Sequence, residues 1–185
     1  MKLDRYDRRM LEVLQEDGRI SNQDLGERIG LSPSPCLRRM RALEEAGIIT
    51  GYRAMLDPAK LGLDLVAIVS ISMDRHTPER FARFDAAVRA LPEVLECLLI
   101  TGRDADYQLK VIVPDMAAYQ DLLLNRITRI EGVSGVHSSF VLRRVVERTA
   151  LPVGVSSQSP QLGTAKAPTT PRKTPSDGDD RLVIE

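Results

Sequence analysis

The feature that most constrains the fold is the stretch SNQDLGERIGLSPSPCLRRMRALEEAG, residues 21–47. It predicts two short helices that are joined by a tight turn. Ser21 can cap the first helix, and Asp24 supplies the second half of an approximate capping box. Gly30 then permits the positive φ with which a helix often ends. The stretch therefore predicts a helix-turn-helix.

The second helix of this pair is predicted over about residues 35–46, after the sequence Ser32-Pro33-Ser34-Pro35. Either serine can cap it, and either proline can occupy its first turn, where no backbone N–H is required. At about 100° per residue, the apolar side chains share one face and the arginines take the remainder. The apolar residues are Cys36, Leu37, Met40 and Leu43, and the arginines are Arg38, Arg39 and Arg41.

The arginine-bearing face has two interpretations. One is an ordinary amphipathic helix with a solvated basic face. The other is a DNA-reading helix, in which arginine binds guanine edges and phosphate. The capped first helix, the turn and the Ser-Pro-Ser-Pro segment before the second helix favour DNA reading. We predict a helix-turn-helix over about residues 22–41, with contacts to double-stranded DNA from Ser32, Ser34, Pro35, Arg38, Arg39 and Arg41.

The charge of the whole chain limits how such a helix can bind DNA. The 185 residues include 26 basic and 26 acidic side chains, so the formal net charge is zero. Any DNA-binding field is therefore local to one helix face, and affinity needs help from several copies acting together.

The cysteines, the histidines and the hydropathy pattern exclude several classes of protein. Cys36 and Cys97 lie in apolar contexts, which predicts buried reduced thiols and a cytoplasmic protein. With only two histidines, no Cys/His metal spacing exists, so neither a metal nor a cofactor is predicted. No apolar run approaches the ~20 residues that cross a bilayer, so no membrane partner is predicted.

The helix-turn-helix belongs to a predicted first domain, residues 1–60. Asp4 can cap an opening helix over residues 5–17, which makes a trihelical unit with the two helices above. Residues 47–55, GIITGYRAM, predict a small β-ribbon, or wing. A turn and a hinge over residues 60–64 then lead into the next domain.

Residues 61–150 predict a second domain with the element order βαββαβ. The predicted strands cover residues 65–73, 93–101, 107–113 and 133–147, and the helices open at Thr77-Pro78 and at Asp115. This is the ferredoxin-like arrangement, and the fold class is α+β. The strands carry more apolar surface than one helix-covered face needs, so we expect self-association through the sheet. The residues concerned are Val66, Ile68, Leu98, Ile100, Leu109, Val111, Val141 and Val145.

Residues 151–185 differ in composition from the two domains. They contain five prolines, no aromatic residue and clustered Ser, Thr, Gly and Asp. Such a segment cannot bury enough apolar surface to offset its ordering entropy, which predicts a disordered tail.

Together these segments resemble the Lrp/AsnC ("feast/famine") family of transcriptional regulators. The resemblance runs over residues 3–148 and rests on LDRYDRRMLEVLQEDGRISNQDL, GLSPSPCLRRMRALEEAGIITGY, ECLLITG, DADYQLKV and VPDMAAY. The PCL opening of the second helix is typical of the leucine-responsive branch. The resemblance implies dimers joined through the sheets of the second (RAM) domain, which assemble into octamers or other forms. It also implies a small effector, usually an amino acid, bound between dimers near the loop after the second strand.

Matching by motif assigns the effector site of the family to particular residues of this chain. The loop supplies Thr101, Gly102, Arg103, Asp104, Asp106 and Tyr107, with Leu99 and Met116 nearby and Ser139 and Phe140 on the fourth strand, where a partner subunit can contribute. Carboxylates of such a loop suit an α-amino group, and backbone N–H groups near a glycine suit an α-carboxylate. Without a ligand, the same residues form an ordinary acidic β-turn.

Two other classes of function are weighed against a regulator. An enzyme could use two loop aspartates as acid and base, but no nucleophile–base pair, metal cluster or phosphate-binding glycine loop accompanies them. A ligand-sensing protein that never binds DNA is the other. We predict a sequence-specific transcriptional regulator, not an enzyme, whose assembly or DNA binding responds to an amino-acid effector.

Overall fold

A computed structural model describes residues 1–102 and 105–154. The first domain contains three helices: α1 (Arg5–Glu16), α2 (Asn22–Ile29) and α3 (Pro33–Glu45). A 3₁₀ turn, Ala59–Leu61, leads to the second domain. Its elements are β1 (Leu65–Met73), α4 (Pro78–Arg89), β2 (Val94–Leu99), β3 (Tyr107–Val113), α5 (Met116–Asp121), which continues as a π-helix over Leu122–Ile127, and β4 (Val133–Phe140). The predicted α+β class and element order are confirmed.

The first two helices begin at the predicted caps. Asp4 Oδ1 accepts the Asp7 N–H at 2.9 Å, and the Asp7 carboxylate accepts the Asp4 N–H at 3.0 Å, which completes a capping box on α1. Ser21 Oγ accepts the Asp24 N–H at 3.1 Å at the start of α2. Gly30 ends α2 with φ 75°. Local hydrogen bonding therefore sets these boundaries.

The predicted β-ribbon over residues 47–55 does not form in the single chain. Among the described residues 47–56 none is in a strand. The N–H groups of Ile48 and Ile49 both donate to the Leu43 carbonyl at the end of α3, at 3.0 and 3.2 Å. These donors are used to close the helix, so they are not available for a ribbon.

The four strands form one antiparallel sheet with the order β2-β3-β1-β4. Near one end of the sheet, Ile71 of β1 lies opposite Tyr107 of β3 and Val136 of β4. The helices pack on one face, over a core whose buried residues are Ala67, Val69, Ile71, Met73, Phe84, Val88, Tyr107, Leu109, Val111, Val113, Tyr119, Leu122 and Ile127. The ferredoxin-like prediction is therefore confirmed.

Several residues of the second domain differ from their predicted positions. Leu109 and Val111 lie on the helix-covered face, whereas Ile68 and Leu98 lie on the open face. Cys97 is exposed rather than buried, because β2 is an edge strand that the helices leave partly uncovered. Of the eight apolar residues on which the expected self-association was based, Leu109 and Val111 are therefore covered within the chain itself.

The last strand is shorter than predicted. β4 ends at Phe140 instead of reaching residue 147. Phe140 pairs with Ala67, so β1, which begins at Leu65, can offer partners only as far as residue 142. The last ladder bond is from the Val141 N–H to the Val66 carbonyl, at 2.9 Å. Val145 is consequently 79% exposed rather than part of a sheet.

The start of the predicted tail, residues 151–154, is described in the structure and contacts α1. The remainder of the predicted tail, residues 155–185, lies outside the described residues. In the described part of the chain, no helix has the length and apolar character that a bilayer crossing requires.

Candidate nucleic-acid interface and effector site

A close backbone contact sets the geometry between α2 and α3. The Leu31 N–H donates to the Gly26 carbonyl at 2.8 Å. A Cβ atom on Gly26 would lie 2.5 Å from the Leu31 carbonyl oxygen, so only glycine fits this position without a shift of the backbone. Gly26 therefore has a structural role in the helix-turn-helix that was not predicted from the sequence.

The recognition helix α3 begins at Pro33, two residues earlier than predicted. Ser32 is the N-cap residue, but its side chain makes no capping hydrogen bond. Ser34 is exposed and Pro35 partly exposed in the first turn, which contains no acidic residue. The serine hydroxyls and the Ser34 N–H at this helix start form a favourable site for a phosphate.

The three arginines of α3 have different environments. Arg38 and Arg41 are exposed. Arg39 instead lies against α1, where its Nη1 atom is 2.7 Å from Asp4 Oδ2 and 2.7 Å from Asp7 Oδ1. Because both carboxylates accept hydrogen bonds from the guanidinium, the pKa of Arg39 is raised. Of the three arginines of α3, Arg38 and Arg41 are therefore the two whose N–H donors face solvent.

The ion pairs of Arg39 anchor α3 to α1. Asp7 is the buried charged residue of the first domain, with 5% of its surface exposed. The guanidinium also lies over the Tyr6 ring, with 5.4 Å between Cζ and the ring centroid. The remaining face of α3 packs inward through Cys36 and Leu43. These contacts hold the helix so that Arg38 and Arg41 face outward.

Asp106, a predicted effector ligand, anchors the loop after β2. Its Oδ2 atom accepts the Met73 N–H at 2.7 Å, and its Oδ1 atom lies 2.7 Å from His76 Nε2. Its own N–H donates to the Ile71 carbonyl at 2.8 Å. Both carboxylate oxygens therefore have partners within the chain. His76 was not predicted from the sequence as a partner of Asp106. The only indication was that it is one of two histidines in the chain.

Tyr107 lies beneath that loop and is 2% exposed. Its hydroxyl donates to Asp85 Oδ1 on α4 at 2.8 Å. Burial and the bonded carboxylate raise the pKa of Tyr107 well above its usual range, so the phenol stays protonated. Its ring packs against Phe84, with 4.4 Å between centroids. Tyr107 is thus a core residue with little surface available to a ligand.

A cleft of about 340 Å³ opens beside Tyr107, between α4 and β2. Its walls include Val88, Leu95 and the predicted Leu99, with Arg89 and Glu96 among the charged residues. Leu99 is 59% exposed. Partial burial and the nearby Asp85 carboxylate raise the pKa of the Cys97 thiol in this cleft, which makes it a weak nucleophile.

The predicted effector residues fall into two groups that one chain does not bring together. Leu99 lies opposite Tyr107 near one end of the sheet, whereas Phe140 lies on the opposite edge strand, opposite Ala67. Three strand spacings and four residues along a strand separate the two groups by roughly 20 Å. Thr101, Gly102, Asp106 and Tyr107 belong with Leu99, whereas Ser139 belongs with Phe140.

The remaining predicted effector residues lie on α5, at the end of β4 or outside the described part of the chain. Met116 opens α5 and is 45% exposed. Phe140 packs edge-on against Tyr119 of the same helix, with 5.1 Å between ring centroids. Arg103 and Asp104 lie outside the described residues. The described residues contain no group of three or more His, Cys, Asp or Glu side chains that could hold a metal ion.

Three packed helices with an exposed basic recognition helix, joined to a ferredoxin-like domain, define a class of DNA-binding regulator with a separate ligand-binding domain. Residues 3–50 match the winged helix-turn-helix DNA-binding family model. Residues 66–151 match the model of the Lrp/AsnC ligand-binding domain.

Named relatives agree with both models. The leucine-responsive regulatory protein of Salmonella typhimurium is 47% identical over 149 residues, which cover 80% of this chain and 90% of that protein. The protein of the same name from Escherichia coli K12 is 46% identical over the same lengths. The chain belongs to the Lrp/AsnC family of transcriptional regulators. It is accordingly a DNA-binding regulator rather than an enzyme.

Solved structures show the same architecture. A transcriptional regulator from Neisseria meningitidis, in complex with L-Met, superposes with a TM-score of 0.79 at 42% identity, covering 83% of this chain and 98% of that one. AsnC of E. coli superposes with a TM-score of 0.74 at 29% identity, covering 80% and 98%.

Proposed function

We propose that Arg38 and Arg41 read the DNA sequence, while Arg39 orients the helix that carries them. The observation that supports this division is that Arg39 is bound by Asp4 and Asp7, whereas the other two guanidiniums face solvent. Arginine recognises guanine through two free N–H donors that point at one base edge. A guanidinium already bound to two carboxylates is poorly suited to that role.

The start of α3 is proposed to bind the DNA backbone. Ser32 and Ser34 bring hydroxyl donors, and Ser34 also brings the backbone N–H of the first turn, because Pro33 and Pro35 have none. Pro35 fits against the sugar-phosphate backbone without a donor of its own. Phosphate contacts of this kind position a helix, and the arginines then supply sequence discrimination.

The DNA proposal is tested by fluorescence anisotropy with labelled duplex from the region upstream of the gene. Arg38→Ala and Arg41→Ala should each weaken binding to this duplex more than binding to a scrambled one. Arg129→Ala, an exposed arginine of the second domain, is the matched control because it removes the same charge elsewhere. Equal binding by wild type and Arg38→Ala would refute this orientation of α3.

We further propose that the effector is an α-amino acid and that its site is completed by a second copy of the chain. The amino acid is supported by the L-Met complex of the neisserial relative and by the leucine-responsive relatives. The roughly 20 Å between the Leu99 group and the Phe140 group supports a shared site, because one chain cannot enclose a small ligand with both. Dimers that assemble further, as octamers or other forms, would supply the second group.

Within this site, Asp106 is proposed as a loop anchor rather than a direct ligand. Its oxygens are engaged by Met73 and His76, so an ammonium group would have to displace one of them. The backbone near Gly102 and the apolar side chains of Leu99 and Met116 remain for the ligand. We also expect the protein to work in the cytoplasm, where its DNA target lies.

The effector proposal is tested by thermal shift with each of the 20 amino acids, followed by titration of those that raise Tm. Leu99→Ala and Met116→Ala should reduce the shift. Leu124→Ala, which removes another exposed leucine, is the control. Sedimentation with and without the ligand measures the assembly. Should no amino acid change Tm or assembly of the wild type, the effector class is wrong.

A further inference from the structure

The segment 151–154, here called the C-terminal strap, docks on α1 of the DNA-binding domain. The Leu151 N–H donates to Gln15 Oε1 at 2.5 Å, and Gln15 Nε2 donates to the Leu151 carbonyl at 3.1 Å. Arg8 Nη1 donates to the Val153 carbonyl at 2.7 Å. One glutamine and one arginine of α1 thus bind the strap through its backbone.

The strap has a shape that fits this surface. The Val153 N–H donates to the Leu151 carbonyl at 2.9 Å, which closes a tight turn around Pro152. Proline holds its φ near −65°, so the turn is partly formed before docking. The turn directs the Val153 side chain onto the core of the three-helix domain, where it packs as a partly buried residue.

The residues that receive the strap lie along one face of α1. Arg8, Glu12 and Gln15 are spaced by four and three residues, so their side chains are neighbours on the helix surface. A Cβ atom on Gly154 would lie 2.9 Å from Glu12 Oε1, so a residue without a side chain allows the closest approach. The surface of α1 therefore contacts the strap at Leu151, Val153 and Gly154.

Through α1 the strap reaches the recognition helix. The chain that leaves β4 of the ligand-binding domain contacts Gln15 and Arg8 of α1. Asp7, next to Arg8, holds Arg39 together with the N-cap residue Asp4. We propose that the strap is a latch between the two domains, which fixes the orientation in which the ligand-binding domain presents α3 to DNA. The DNA part of this proposal rests on the function proposed above.

The latch has the strength expected of an element that can open. Three hydrogen bonds to the strap lie at or near the surface, and Leu151 is 71% exposed. Contacts of this kind open locally at much lower free energy than global unfolding. Helix α1 carries both the strap contacts and the Arg39 contacts. Opening of the strap therefore loosens the helix that holds Arg39.

Docking is tested by hydrogen-exchange mass spectrometry on the full-length protein. Gln15→Ala and Val153→Asp should increase amide exchange in residues 5–16 by about tenfold, with no change in β3. Glu16→Ala, an exposed neighbour on α1 without a strap contact, should exchange like wild type. Gln15→Ala is the milder variant and guards against general unfolding by the aspartate. Wild-type exchange in both variants would overturn docking.

Coupling is tested by the affinity for upstream DNA in the same variants. A latch that is open part of the time lowers the fraction of protein in the binding orientation, so we expect a loss of about threefold or more. Faster exchange in α1 with unchanged DNA affinity would overturn the coupling and leave the strap a purely structural contact. If wild-type protein binds no DNA, the proposed function fails and the coupling fails with it, whereas the exchange result still decides docking.

Discussion

The guanidinium of Arg39, on the recognition helix, lies 2.7 Å from the buried carboxylate of Asp7 on α1. This pair joins the first and third helices of the DNA-binding domain. It also separates three arginines that are close in sequence into one structural residue and two that face solvent.

Arg39→Ala should destabilise the first domain. Removing the guanidinium leaves the Asp7 carboxylate in a mostly buried position without its cation, which we expect to cost about 1–2 kcal/mol after allowance for partial exposure. Urea unfolding measures the loss. Arg41→Ala is the control and should lie within about 0.5 kcal/mol of wild type, because it is exposed. Equal stability of the two variants would show that the ion pair contributes nothing.

Arg38→Ala, in contrast to Arg39→Ala, should weaken DNA binding without destabilising the fold. Loss of one arginine contact to a base should weaken operator binding by about 1–3 kcal/mol, while unfolding and assembly remain as in wild type. Binding should also fall steeply with salt, because phosphate contacts release counterions. Anisotropy titrations at several salt concentrations measure both. A variant that loses affinity only together with stability would argue for a structural role instead.

Gly26→Ala should disturb the turn between α2 and α3. The added methyl group would lie 2.5 Å from the Leu31 carbonyl oxygen, so the backbone must shift. We expect a loss of about 1–3 kcal/mol in stability and weaker DNA binding, since the angle between the helices changes. Glu27→Ala, at the exposed neighbouring position, should be nearly neutral. A fully stable Gly26→Ala protein would mean that the turn can relax.

Tyr107→Phe should cost more than Tyr52→Phe, although each tyrosine donates to a carboxylate. Tyr107 is buried and donates to Asp85 at 2.8 Å, whereas Tyr52 is half exposed and donates to Glu44 at 3.0 Å. Removing the Tyr107 hydroxyl leaves a partly buried carboxylate acceptor unpaired, which we expect to lower the free energy of unfolding by about 1 kcal/mol. After removal of the Tyr52 hydroxyl, water can replace the lost hydrogen bond. Thermal unfolding compares the two variants, and the reverse order would contradict the assigned burial.

The fold should lose stability in acid partly through Asp4. Hydrogen bonds from the Asp7 backbone N–H and the pairing with Arg39 lower the pKa of Asp4 below its ordinary value of 3.8. A carboxyl group whose pKa is lower in the folded chain stabilises the fold above its unfolded pKa. That contribution disappears as the pH falls from 3.8 through the folded value.

Asp4→Asn should therefore flatten the decline of stability below about pH 4. Asp64→Asn, an exposed aspartate between the domains, is the control. Stability is followed by urea unfolding at successive pH values. A decline in Asp4→Asn as steep as in wild type would assign the acid sensitivity to other carboxyl groups.

The sequence by itself determined the helices and most strands, because their signals are local. Asp4, Ser21 and Gly30 act on backbone groups within four residues, and the β-branched segments Leu65–Met73 and Tyr107–Val113 formed with the predicted bounds. The residues 33–45 that carry the arginines were also recognisable, as was the family.

Only the tertiary structure decided which side chains remain free and where the elements meet. Arg39 and Asp7 are 32 positions apart, His76 and Asp106 are 30 apart, and the strap meets α1 across 136 or more. No periodicity encodes such pairs, because they depend on how whole elements pack. The same reason keeps β4 short of residue 147, because the partner strand β1 begins at Leu65 and offers no partner beyond residue 142.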